Sequence, residues 1–268
     1  MDLRDRDVSK RAGFCDLLGR GPGGFRIRDV ESDQVISIPL LNHYFAIAFV
    51  WEDRVYVYAG DYGHGEPWWH IRRIVLITSD DLITWSKPQV VITSQDGERL
   101  FNTAVCHDGR SFVLLYETDD RRWPAFTFKY CRSADLIHWQ QVPGALYGTD
   151  KYVGGPALDY EGGWYYTLYL EALGEGRYET RVTRSQDLLT WTDAPPGRPV
   201  LTYDPERIPD PVHHPEVREI NASDVELCEW QGKTILYFNG GNQLGVGDLQ
   251  WAEYEGTPRQ LLEFFFQP

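Results

Sequence analysis

The chain has 268 residues, 42% of them hydrophobic and 14% aromatic, with a formal net charge of −14. So acidic a surface repels phosphate backbones, which argues against nucleic acid as a partner. No apolar run approaches the roughly 20 residues that cross a bilayer, which argues against a membrane.

The N-terminus, MDLRDRD, is too charged for a signal-peptide core. The cysteines Cys15, Cys106, Cys131 and Cys228 show no CxxC or CxxH spacing and suit buried free thiols in a reducing compartment. The expected location is therefore the cytoplasm. Abundant Trp, Tyr and Phe with 25 Gly and 16 Pro predict sheets joined by tight turns.

In chain order, FRIRD (Phe25 to Asp29) and QVISIPLL (Gln34 to Leu41) are the first predicted strands. Next comes AFVWEDRVYVYAGD, Ala48 to Asp61: an apolar strand, a turn at Glu52-Asp53 and a second strand. The pattern returns in AVCHDGRSFVLLYE (Ala104 to Glu117, turn Asp108-Gly109) and ALDYEGGWYYTLYLE (Ala157 to Glu171, turn Glu161-Gly162). It returns again in VELCEWQGKTILYFNGG (Val225 to Gly241, turn Gln231-Gly232). A third strand follows the first three hairpins: IRRIVLITS, FTFKYCRS and ETRVTRS.

Each third strand runs into Ser-x-Asp-Leu-x-x-Trp: SDDLITW, SADLIHW and SQDLLTW, starting at Ser79, Ser133 and Ser185. The spacings, 54 and 52 residues, match the period of propeller blades. Ser and Asp in this motif are expected to bind nearby backbone amides and fix a turn, while Leu and Trp bury apolar area between blades. The motif is scaffold. The fourth repeat is delayed by an insertion, YDPERIPDPVHHPEVREI (Tyr203 to Ile220). LQWAEYEG (Leu249 to Gly256) adds a strand and RQLLEFFF a short helix. The predicted fold is all-β, a single-domain five-bladed β-propeller of four-stranded antiparallel blades. The fifth blade is built on the N-terminal strands, with the C-terminal strand weighed as the one that closes it. Four blades are the alternative.

Ser-x-Asp-Leu-x-x-Trp, following the Gly-x-Tyr-Tyr-x-x-Tyr of Gly163 to Tyr169, resembles the five-bladed propeller glycoside hydrolases of families 43 and 32 and the mannoside phosphorylases of family 130. FNTAV (Phe101 to Val105), YVGGPAL (Tyr152 to Leu158) and NASDVELCEWQGKT (Asn221 to Thr234) place the likeness nearest family 43, over about residues 42 to 260. The resemblance implies carboxylate chemistry on a small carbohydrate in a central funnel. It implies no organic cofactor, and leaves room for a structural calcium in the channel, for which the sequence has no dedicated site. The chain departs from the pattern where family 43 carries an Asp-Pro for its general base: LNHYFAIAF, Leu41 to Phe49, has no aspartate. Catalytic residues must therefore be argued from position.

Glycoside hydrolysis needs two carboxyl groups, one protonating the leaving oxygen and one attacking or activating water. Asp61, Glu117 and Glu171 fall at the ends of the second hairpin strands, while Asp224 opens the fourth inner strand. These four are the catalytic candidates, with Glu117 or Glu171 as acid, Asp224 as base, and the roles interchangeable. Glu226, two residues from Asp224, is expected on the same strand face, and Asp61 and Glu226 are candidates for setting the catalytic pKa values or binding sugar. His43 and Asn102 are candidates for sugar hydroxyls, Trp68 or Trp69 for a sugar face, and Arg121 or Arg122 for a substrate carboxylate. His64 lies in the same loop as the two tryptophans, and His213-His214 with Glu216 are a weighed metal option. The expected function is a glycoside hydrolase on a small oligosaccharide or glycoside. The alternatives are a catalytically silent sugar-binding propeller and a glycoside phosphorylase, which an acidic funnel disfavours.

Overall fold

The structure is a computed structural model that describes residues 24–29, 32–61, 70–95, 97–124, 126–243 and 245–267. Cys15, His64, Trp68 and Trp69 lie outside the described residues.

The described secondary structure is antiparallel sheet apart from one short helix. β1 (Gly24–Arg28) and β2 (Val35–Leu41) pair as a two-stranded sheet. β3 (His43–Trp51), β4 (Arg54–Asp61), β5 (Arg73–Ser79) and β6 (Gln89–Thr93) form a four-stranded meander. β7 (Leu100–His107), β8 (Phe112–Thr118), β9 (Thr127–Ser133) and β10 (Gln140–Tyr147) form the second. β11 (Val153–Glu161), β12 (Trp164–Gly174), β13 (Arg177–Ser185) and β14 (Thr192–Asp193) form the third. β15 (Ser223–Trp230), β16 (Lys233–Asn239) and β17 (Leu249–Tyr254) form a three-stranded sheet, followed by α1 (Pro258–Phe264). Four sheets are thus blades built on the repeated hairpin, the smaller of the two counts weighed, and the N-terminal sheet is a fifth of two strands. β17 pairs with β16, so the C-terminal strand extends the fourth blade and does not close the N-terminal sheet.

The chain divides into two compact units, residues 1–123 with 129–142 and residues 124–128 with 143–268. In the first, Phe25, Ile27 and Leu40 of the N-terminal sheet pack on Ala48, Val55 and Val57 of the first blade. Tyr58, Ile74 and Leu76 of that blade share a core with Val105, Leu114 and Tyr116. In the second unit, Tyr166, Leu168 and Val182 pack with Val225, Leu227 and Leu236. Leu261, Leu262 and Phe265 add to the same core. Thr257 and Gln260 cap α1 reciprocally, and Pro258 fills its first position.

The repeated motif behaves as the sequence predicts, with one addition. Ser79 Oγ accepts from the Leu82 amide (2.8 Å), and Asp81 Oδ1 from the amides of Ile83 (2.8 Å) and Thr84 (2.7 Å). Asp135 and Asp187 repeat the double acceptance. The addition is that Leu82, Leu136 and Leu188 all adopt left-handed backbone, with φ of 66°, 65° and 67°. That conformation costs a leucine roughly 1–2 kcal/mol. All three leucines are buried, and burying such a side chain gains roughly 1.5–3 kcal/mol, which offsets the strain.

Candidate active site

The blades share a second repeated device that the sequence does not reveal. On the first inner strand, Tyr44 pairs with Gly60 and Ile47 with Tyr58, so Phe45-Ala46 stand against Ala59 alone. This is a β-bulge, two residues against one, which bends a strand and re-aims a side chain. It recurs as Phe101-Asn102 against Glu117, Gly155-Pro156 against Tyr169 and Asp224-Val225 against Phe238. In three of the four the first bulge residue is left-handed: Phe45 (φ 55°), Gly155 (φ 50°) and Asp224 (φ 53°).

Asp224 is therefore a carboxylate on a strained corner. Strain of this kind costs about 1–3 kcal/mol and persists where the surroundings over-determine it. The surroundings lie within the second unit. Gly155 approaches so closely that a Cβ on it would lie 2.3 Å from Asp224 Oδ1. Ser223 Oγ donates to Asp224 Oδ2 at 2.5 Å. Gln243 Nε2 donates to Ser223 Oγ (2.9 Å) and to Asn221 Oδ1 (3.1 Å). Asn221 Nδ2 donates to the Asn239 carbonyl (2.8 Å). The Asp224 side chain is exposed at the surface, while the protein packed around its carboxyl desolvates it enough to raise it above the ordinary value. Hydrogen bonds from Ser223 and Gln243 pull the other way, and no charged neighbour among the described residues contributes. A raised pKa suits an acid better than a base, and the sequence left the acid and base roles of these carboxylates interchangeable.

Glu117, in the first unit, is 4% exposed and faces the second bulge, where Asn102 Nδ2 donates to its Oε2 at 2.9 Å. It is not level with Asp61 and Glu171, contrary to the sequence expectation. Counting eight residues beyond the last turn residue of each hairpin gives Asp61, Asp119, Glu171 and Gly240. The second hairpin turns over four residues, 108–111, where the other three use two, so a count from Gly109 slips by two. The third hairpin turns on Gly162-Gly163, one residue later than expected.

The three level acids are each tied to an arginine. Asp61 binds Arg73 (2.7 Å), Asp119 binds Arg99 (2.6 Å) and Glu171 binds Arg181 (3.1 Å). His43 sits beside Asp61, Nε2 to Oδ1 at 3.9 Å, with Nδ1 against the Leu41 carbonyl. Glu226 is half-buried, and the bulge beginning at Asp224 breaks the alternation expected to align the two acids. Arg121 is exposed, whereas Arg122 clamps Asp120. His213 faces Asp210 and His214 faces Glu216, on separate exposed turns of the insertion. The insertion is anchored by Arg207, which binds the buried Glu219 and Asp248. Among the described residues no cluster of three or more His, Cys, Asp or Glu side chains could hold a metal ion. No helix among them is long and apolar enough to cross a membrane.

The sequence carries no motif that marks Gly155, Asn221, Ser223 or Gln243 as site residues. Only the unusual Gly154-Gly155-Pro156 run hints at a backbone corner.

No family model matches the sequence, and no curated protein does. Solved structures do resemble it. A thermostable family-43 glycoside hydrolase superposes with a TM-score of 0.59 at 17% identity, over 81% of this chain and 70% of that one. The family-43 endo-arabinanase of Bacillus licheniformis matches at 0.52 and 14%, over 79% and 73%. The family-32 β-fructofuranosidase of Bombyx mori matches at 0.60 and 16%, over 80% of this chain and 46% of that one. The fold is that of the β-propeller glycoside hydrolases.

Proposed function

We propose that the protein is a glycoside hydrolase acting on a small oligosaccharide or simple glycoside, with Asp224 as its proton donor. The observation that carries this is a carboxyl on a left-handed bulge corner, solvent-accessible, braced by Ser223 and Gly155, and raised above its ordinary pKa by desolvation. Strained, pKa-shifted groups of this kind cluster at active sites. The propeller fold supports the reading, since the solved relatives it resembles are glycosidases. A variant of the Bombyx mori enzyme is solved with sucrose, which supports a small substrate.

In the proposed reaction the Asp224 carboxyl gives its proton to the glycosidic oxygen as the bond to the anomeric carbon breaks. The leaving sugar or alcohol departs neutral. Water supplies the hydroxyl at the anomeric carbon, and its proton goes to a second carboxylate. Glu117 is a separate candidate in the first unit, to be tested by its own substitution.

A silent sugar-binding propeller is the second reading, favoured by one observation: the corner equivalent to Asp224 in the first blade is Phe45, not an acid. Incubation with a panel of aryl glycosides and small oligosaccharides, with and without phosphate, separates the readings. Free reducing sugar without phosphate supports the hydrolase, and sugar phosphate formed only with phosphate means a phosphorylase. Saturable binding without turnover means a binding module.

A further inference from the structure

We propose that the Gln243 amide, oriented by Asn221, and the Ser223 hydroxyl form a hydrogen-bond relay that holds Asp224 with Oδ2 as acceptor and Oδ1 as the proton-bearing oxygen. This deepens the reading of Asp224 as proton donor and rests on it.

The direction follows from counting protons. Asn221 Nδ2 donates to the Asn239 carbonyl, so its Oδ1 is the end turned to Gln243. An amide oxygen has no proton to give, so Gln243 must present its NH2. That NH2 also donates to Ser223 Oγ and occupies a hydroxyl lone pair. The hydroxyl has one proton, and Asp224 Oδ2 lies 2.5 Å away to receive it. A neutral Asp224 accepting at Oδ2 carries its proton on Oδ1. Oδ1 is the oxygen turned toward Gly155, where any side chain would fill the space in front of it. The Asn239 carbonyl, which can only accept, fixes both amide orientations, and the short contact to Asp224 Oδ2 is where the Ser223 proton goes. Ser223, Gln243 and Asn221 are thus positioning residues, acting through Asp224.

The test is a carboxyl ¹³C NMR titration of the aspartates in the full chain, with the Asp224 signal assigned by its loss in Asp224→Asn. Losing the relay removes donors that favour the carboxylate. The Asp224 midpoint is expected to rise by about one pH unit in Ser223→Ala, and in the same direction in Gln243→Ala. Ser223→Thr, which keeps the hydroxyl, is expected to restore it. Gln243 sits on an exposed loop, so its variant tests the relay even if Ser223→Ala fails to fold. An Asp224 midpoint that stays put in Gln243→Ala overturns the relay. The readout needs no turnover, so the relay can fail while the hydrolase reading stands, and the reverse.

Discussion

Gly155 and Asp224 are 69 positions apart in the sequence, yet no side chain larger than hydrogen fits between the Gly155 backbone and the Asp224 carboxylate. Both residues are left-handed, and both open the bulge of their inner strand. Gly155→Ala is therefore expected to cost about 1–2 kcal/mol from the left-handed backbone alone, and to displace Asp224. Activity should fall at least tenfold. Urea unfolding and a rate assay check the two parts, and wild-type rates in a folded Gly155→Ala would disconnect the glycine from the site.

Asp224 should also limit stability at neutral pH. Its folded pKa lies above its unfolded value, so the native state binds more protons over that interval, and stability falls as pH rises through it. Asp224→Asn removes the titration and keeps a residue that tolerates left-handed backbone. We expect its Tm to exceed the wild type's at pH 7, with the gap closing below about pH 4. A lower Tm for the variant at pH 7 would contradict the assignment of the shift.

The motif aspartates act with the opposite sign. Backbone amides hold Asp81, Asp135 and Asp187 below their ordinary values, foremost those of Thr84, His138 and Thr190. Their contribution is complete above the unfolded pKa of about 4 and is lost as pH falls through the depressed folded values. Replacing all three by Asn, which still accepts from the amides, should flatten the fall of Tm between about pH 4 and pH 2. An unchanged slope would assign acid sensitivity elsewhere.

The first unit contains a buried ion cluster beside the second bulge. Lys129 Nζ lies 2.5 Å from Glu98 Oε2 and 2.9 Å from Asp120 Oδ2, and Thr118 also donates to Glu98. The Lys129 and Glu98 side chains are 5% and 4% exposed. Lys129→Met would leave two buried carboxylates without their shared cation, at a cost of about 3–5 kcal/mol. Denaturant unfolding measures this, and a loss under about 1 kcal/mol would mean that water replaces the lysine.

In the second unit Arg184 lies between two rings, its Cζ 4.3 Å from the Trp164 centroid and 4.2 Å from that of Phe266. With Leu262 fully buried, this fixes the C-terminal segment to the core. Leu262→Ala should cost about 2–5 kcal/mol and Arg184→Ala about 1–2 kcal/mol. Faster proteolysis after residue 257 in both variants checks the mechanism, and protection equal to wild type argues against it.

The scaffold was legible because its signals are local. Ser79, Asp81 and Leu82 sit within four residues of one another, and a 54-residue return is visible by inspection. The site was legible only in part. Asp224 could be suspected from its place before an apolar strand, but its left-handed turn depends on Gly155 and Ser223, and no local pattern announces a bulge. Glu117 was set level with Asp61 because a four-residue turn at 108–111 looks, in one dimension, like the two-residue turns of its sister hairpins. The ion pairs of Asp61 and Glu171 rest on Arg73 and Arg181, side chains from adjacent strands that only register brings together.

The most direct measurement compares Asp224→Asn with wild type on two substrates sharing one sugar, a nitrophenyl glycoside and an alkyl glycoside or disaccharide. Nitrophenolate leaves without a proton, whereas an alcohol requires one. If Asp224 is the acid, the variant loses about 10²–10⁴-fold on the alcohol-releasing substrate and far less on the nitrophenyl one. Equal losses on both, or full activity of a folded variant on the alcohol-releasing substrate, would contradict it.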